Sequence, residues 1–272
     1  MTTPSDPVAP RPAASVLIVR AAASGSAEPL EVWMVRRQKT MKFLGGFYAF
    51  PGGRVDDADS SPEALARCRG LDAEEAAALF PGHGHVAPLA FWVTAARELL
   101  EESGVLLACD AEGRPVDARD PAVAAAIGAA RRDLVERKTG FAEILRRAGW
   151  YCDLRGLRYL SHFITPTSSP IRFSARFFLC PAPDGQAPAL FEEETSEAFW
   201  IHPGEGYRRF RTGEMPMAEP AEYGLGYLAQ FPSLEALWDA HADRRHKFHG
   251  IVDRIEFWRD FDWKANRWPH SK

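Results

Sequence analysis

Residues 97–105, Arg-Glu-Leu-Leu-Glu-Glu-Ser-Gly-Val, constrain this chain more tightly than any other stretch. On a helix Glu98, Glu101 and Glu102 stand at i, i+3 and i+4, so three carboxylates share one face. Without a cation each pair repels by about a few tenths of a kcal/mol on an exposed helix. Arg97 offsets part of that charge and reaches Glu101 one turn on. Mg²⁺ takes carboxylate oxygens while keeping several waters, so the pattern reads either as a divalent-cation site or as a solvated acidic face. Gly104 stands where a left-handed cap ends a helix. Val105-Leu106-Leu107 beyond it predicts a buried strand, and helix followed by strand argues for an α/β fold.

The surrounding chain agrees with that class. Apolar, β-branched runs at 14–20 and 30–36, separated by a Ser/Gly/Pro connector, predict paired strands. A short aromatic strand follows, bracketed by Gly45-Gly46 and Gly52-Gly53, whose glycines allow close backbone approach to a ligand. The Ala, Glu and Arg content of 62–80 predicts a helix ending at the Pro81-Gly82-His83-Gly84 turn, and a second helix runs over 90–103. One or two surface helices are predicted within 121–148, strands near 159–164, 172–180 and 195–201, and a helix over 225–240 with Pro232-Ser233 as a start signal. The domain spans 12–240, between a disordered arm over 1–11 and a charged, aromatic extension over 241–272 without a firm assignment.

Composition removes several function classes. With 272 residues, 46% hydrophobic and 26% charged, the chain buries a sizeable core. A net charge of −4 provides no basic field for a nucleic acid polymer. Cys68, Cys109, Cys152 and Cys180 form no CxxC pair, which suits neither a disulfide framework nor a zinc knuckle. No apolar run approaches the roughly 20 residues of a membrane helix. The N-terminus lacks a secretory pattern, so a soluble, cytoplasmic protein without a membrane partner is expected. His83 and His85 sit in a Pro/Gly turn with no third ligand nearby, and no role is assigned to them.

The 97–105 string resembles the second half of the Nudix hydrolase signature, matched at Arg97, Glu98, Leu99, Glu101, Glu102, Gly104 and Val105. The first half departs from it. The family's glycine lies 14 positions before the arginine, whereas Gly53 lies 44 before Arg97, so 30 residues are inserted. The family's intervening Glu falls on Leu89, leaving Asp56, Asp57 or Asp59 as substitutes. The Phe50-Pro51-Gly52-Gly53 loop, its Asp-rich sequel, and the later Thr165-Pro166-Thr167 and Arg176-Phe177-Phe178 segments resemble the long-insert branch typified by acyl-coenzyme A diphosphatases.

That resemblance implies an α/β/α Nudix sandwich with a mixed β-sheet and helical insertions, an insert at about 56–88 and a helical cap at about 116–148. It implies a Mg²⁺- or Mn²⁺-dependent hydrolase held by Glu98, Glu101, Glu102 and the Gly53 carbonyl, with Arg97 in support. Glu98, or a late acid such as Glu194 or Glu197, would take the proton from water. Arg36, Arg37 and Lys42, with Gly52 and Arg54 of the loop, are candidates for holding substrate phosphates. The substrate implied is a small nucleotide-type diphosphate, coenzyme A or acyl-coenzyme A by branch. NADH, ADP-ribose, a nucleotide sugar, or a non-catalytic nucleotide-binding role are the alternatives. A homodimer is expected by resemblance only.

Overall fold

A computed structural model describes residues 8–245 except 42, 166, 168, 170 and 194. Its main sheet is built on β1 (Arg11–Ala21), which pairs antiparallel with β2 (Leu30–Arg37) on one side and parallel with β9 (Phe173–Pro181) on the other. The strand β8 (Arg158–Ile164) extends the sheet beyond β9, and β10 (Thr195–Ile201) extends it beyond β2, both antiparallel. Short strands β3 (Tyr48–Ala49) and β4 (Gly52–Arg54) pair with β2 and β1. The sheet is therefore mixed.

Its strands are apolar on both faces because both are covered. Ala14, Val16, Ile18, Trp33, Val35 and Phe178 face α3 (Pro88–Ser103), while Leu17, Val19, Val32, Met34, Phe177 and Leu179 face the opposite layer. That layer consists of α6 (Pro203–Arg211), α7 (Glu219–Leu228) and α8 (Leu234–Ala240), which contribute Tyr207, Leu225, Leu228 and Leu237. The period-2 alternation of each strand thus divides its side chains between two cores. The result is the expected α/β/α sandwich.

The helix α3 is buried along 14 of its 16 residues, more than a helix lying on a sheet alone would be. Its outer side is covered by α1 (Pro62–Ala66), α2 (Ala73–Leu79), α4 (Pro121–Val135) and α5 (Phe141–Ala148). Phe80, just after α2, packs against Phe91 at 5.7 Å and Tyr159 at 4.6 Å between ring centroids, tying the insert to both α3 and β8.

Three expectations are corrected. The helix predicted over 62–80 is divided, because Cys68–Arg69 form a strand (β5) paired with β7 (Tyr151–Asp153); Gly70, at φ 81°, then turns the chain into α2. Asp72 and Glu75 cap that second start reciprocally. Helix propensity is outweighed there by a ladder to a distant strand. Val105–Leu107 are buried but do not form a strand: the side-chain amide of Gln186 accepts from Leu106 N at 2.8 Å and donates to Leu106 O at 2.9 Å, replacing a partner strand. The ladder begins only with β6 (Ala108–Cys109). The helix predicted over 225–240 is two helices, α7 and α8. The Pro232-Ser233 signal marks the start of the second, with Ser233 Oγ accepting from Ala236 N at 3.0 Å. The preceding helix α6 was not anticipated.

Candidate active site

The loop and helix singled out by the sequence meet at the center of the molecule. Strand β4 lies so close to β1 and α3 that a side chain on Gly52 would strike the β1 backbone and one on Gly53 would displace the Glu98 carboxylate. A Cβ on Gly52 would stand 2.3 Å from Ala14 O, and one on Gly53 would stand 2.3 Å from Glu98 Oε1. Glu102 Oε2 accepts from Gly52 N at 2.8 Å, fixing the loop to the helix.

Arg97 organises the acids. Its Nη1 donates to Glu98 Oε1 at 2.8 Å and Glu101 Oε2 at 2.9 Å, its Nη2 donates to Arg54 O at 2.8 Å, and its Nε donates to Asp59 Oδ1 at 2.9 Å. Asp59 is 2% exposed and also accepts from Thr94 Oγ1 at 2.8 Å, whereas the Asp56 side chain is 60% exposed and that of Asp57 fully so. Of the three substitutes open from the sequence, Asp59 is therefore the one hydrogen-bonded to Arg97, while Asp56 approaches it only to 4.0 Å. Asp59 reaches Arg97 from a 3-10 turn at Asp57–Ser60 in the insert.

The acidic face is not solvated: Arg97, Glu98 and Glu102 are 6–7% exposed. Burial pushes the Glu98 carboxyl up to about 8 although Arg97 pulls the other way, and burial likewise raises Glu101. Burial alone would lower the Arg97 guanidinium, but Glu98 and Asp59 outweigh it and hold it above its ordinary value. Three carboxylates around one guanidinium leave negative charge uncompensated, and Glu102 adds to it. This hard-oxygen donor set fits a divalent cation. Among the described residues, however, no three Asp, Glu, His or Cys side chains are gathered closely enough to hold a metal ion as they stand. Glu98 and Glu101 each have one oxygen engaged by Arg97.

These residues form one wall of a cavity of about 1330 Å³. Phe43, Phe163, Phe173 and Phe177 make an aromatic end, and Leu134, Arg137 and Phe141 bring the α4–α5 cap to its edge. Arg37, Gly52 and Arg54 line the cavity as well. Arg36 and Glu197 do not. They face each other across the β2–β10 pair at 2.7 Å, and Glu197 also accepts from Tyr48 Oη at 3.1 Å. The hydrogen bond from Arg36 holds Glu197 below the ordinary carboxylate range. Lys42 and Glu194 lie outside the described residues. The sequence reading passed over Phe191, Met217 and Arg137, whose place at the cavity depends on chain far from either motif. All four cysteines are buried and free. Among the described residues no helix is long and apolar enough to cross a membrane.

Residues 10–228 match the family model of the NUDT19 Nudix domain. The acyl-coenzyme A diphosphatase NUDT19 of Gallus gallus is 31% identical over 86% of this chain and 72% of its own length. A putative nudix hydrolase 7 of Caenorhabditis elegans is 30% identical over 73% of this chain, which spans 56% of that relative. The crystal structure of a NUDIX hydrolase from Alicyclobacillus acidocaldarius, 34% identical, superposes with a TM-score of 0.68 over 85% of this chain and 96% of its own.

Proposed function

The chain belongs to the NUDT19 Nudix domain family and is a Nudix pyrophosphohydrolase, and from that premise we propose that it hydrolyses the diphosphate of coenzyme A or an acyl-coenzyme A in a Mg²⁺- or Mn²⁺-dependent reaction. The observation that carries the proposal is the acidic wall of a large cavity, where Arg97 gathers Glu98 and Glu101 beside Gly53 and Glu102 holds Gly52. A diphosphate needs only part of that volume, and the aromatic end leaves room for an extended, partly apolar substrate. Similarity to an acyl-coenzyme A diphosphatase supports the same substrate class.

Water attacks one phosphorus, the bond to the bridging oxygen breaks, and adenosine 3′,5′-bisphosphate and a phosphopantetheine leave. Glu98, Glu101, Glu102 and the Gly53 carbonyl would hold the divalent ion, whose chemistry is to neutralise charge developing on the phosphoryl oxygens. Arg97 holds Glu98 and Glu101 in place, and Asp59 holds Arg97. Glu98 lines the cavity and, in the ionised form that a bound divalent ion would favor, is the candidate acceptor of the water proton. Glu197, occupied by Arg36 and Tyr48, is less suited to that task. Arg37 and Arg54 would meet substrate phosphates, a reading supported by their position on the cavity wall.

The test is a panel of coenzyme A, acetyl-coenzyme A, NADH, ADP-ribose and nucleotide sugars, resolved by product chromatography in Mg²⁺ and then Mn²⁺. Selective cleavage of the coenzyme A compounds is expected. Glu101→Gln and Glu102→Gln should each reduce kcat by on the order of 10²-fold or more, because the ion supplies several kcal/mol of charge stabilisation, with circular dichroism unchanged. Faster cleavage of ADP-ribose or NADH than of any coenzyme A compound would refute the substrate assignment. Unchanged turnover in both variants would refute the site.

A further inference from the structure

We propose that Arg137, at the turn between α4 and α5, recognises a phosphomonoester of the substrate separate from the diphosphate that is cleaved. The inference rests on the coenzyme A reading, whose substrate carries such a group on its ribose, and it assigns that group to a residue outside both sequence motifs.

Backbone conformation is the first argument. Among the described residues three non-glycines have left-handed φ values, Leu44 at 50°, Arg137 at 54° and Arg244 at 55°, and the first two both line the cavity. Arg244 is tied down by a hydrogen bond to Gly70 O. A left-handed residue with a Cβ costs roughly 1–2 kcal/mol, and glycine is the usual occupant just past a helix end. This chain follows that rule at α3 and α5, where Gly104 and Gly149 take φ values of 74° and 71°, away from the cavity. At the end of α4 it places an arginine instead, in a turn closed by Arg137 N to Leu134 O at 3.0 Å and Lys138 N to Asp133 O at 2.8 Å. Strain retained beside a cavity is characteristic of ligand contacts.

Charge is the second argument. The Arg137 side chain is exposed and makes no hydrogen bond or ion pair with the described residues; its neighbors Glu136 and Lys138 pair with each other. The other cations on the cavity wall are placed differently. Arg97 is saturated by acids, Arg37 donates to Phe43 O at 3.2 Å, and Arg54 stands where its carbonyl accepts from Arg97 of the acidic helix. A phosphomonoester is repelled by that helix and needs a cation on another wall. A guanidinium matches its oxygens two at a time. A cation is also favored by the dipole at a helix end, but Arg132 in the last turn of α4 already fills that role.

The experiment is calorimetric titration of the full chain with adenosine 3′,5′-bisphosphate and with AMP, which differ by one phosphate, for wild type, Arg137→Gly and Arg137→Lys. Wild type should bind the bisphosphate about 10- to 100-fold more tightly, the range for hydrogen bonds to a charged group. Arg137→Gly should remove that preference, leave AMP affinity within about twofold, and melt no lower than wild type, since glycine relieves the left-handed backbone. Arg137→Lys should retain part of the preference. Equal wild-type affinity for the two ligands, or equal weakening of both in Arg137→Gly, would overturn the proposal. The two readings fail separately. A chain that cleaves coenzyme A and dephospho-coenzyme A with one KM, unaltered in Arg137→Gly, keeps the substrate class and loses the role of Arg137. A chain that keeps an Arg137-dependent bisphosphate preference without cleaving coenzyme A retains that role and loses the substrate class.

Discussion

A guanidinium withdrawn from water is expensive unless every neighbor compensates it, and at Arg97 the compensation comes from two directions. Glu98 and Glu101 come from its own helix, and Asp59 from the insert. Removing one partner of such a buried pair costs about 3–5 kcal/mol, so Asp59→Ala should lower stability by about that amount in urea unfolding. It should also lower kcat more than it raises KM, because Asp59 acts through Arg97, whose Nε and Nη2 both donate to it. Glu98 supplies a pH signature in the metal-free protein. Its folded value of about 8 lies above the ordinary 4.5, so between those values the folded chain holds the extra proton. Stability should therefore fall as pH rises through that window. Melting temperatures in chelator from about pH 5 to about pH 8.5 should show this decline in wild type and a flatter profile in Glu98→Gln. That three acids share one helix face was legible from their i, i+3, i+4 spacing. Their burial was not, because spacing along a helix does not reveal what packs over it.

At the scale of elements, β4 meets α3 at Gly53 through the Glu98 carboxylate. Gly53→Ala places a methyl carbon 2.3 Å from Glu98 Oε1. The carboxylate must move, with a stability loss of about 1–3 kcal/mol typical of overpacking and a larger loss in kcat, read by thermal melting beside steady-state rates. The segment after α3 makes a different prediction. Since Gln186 satisfies both backbone groups of Leu106, Gln186→Ala leaves them unpaired at a cost of about 1–3 kcal/mol. Faster amide exchange at Leu106 should reveal it first. The apolar run Val105–Leu107 was correctly legible as buried, yet a strand and a glutamine clasp satisfy the same backbone, and only the tertiary neighbor distinguishes them. Likewise, the composition of 62–80 signalled helix, and the pairing of Cys68 with Cys152 interrupted it.

For the whole molecule, the insert is structural as well as supportive. Phe80 covers Phe91 and Tyr159, and α1 and α2 share the core of α3. Excising residues 61–86, most of the insert, should therefore give insoluble or dye-binding protein rather than a smaller hydrolase, and a soluble, cooperatively melting product would contradict this packing. What the sequence determined by itself is what is encoded locally: a helix presenting three carboxylates, glycines where backbones must touch, and strands whose period-2 pattern serves two cores. The tertiary structure alone decided that Asp59, 38 positions away, supports Arg97, that Arg36 and Glu197, 161 positions apart, neutralise each other off the cavity, and that Arg137 stands on its wall. The reason is physical. Helix and strand periodicities are set by hydrogen bonding and sterics among near neighbors, whereas burial and ion pairing depend on which distant segments the collapsed chain brings within a few ångströms.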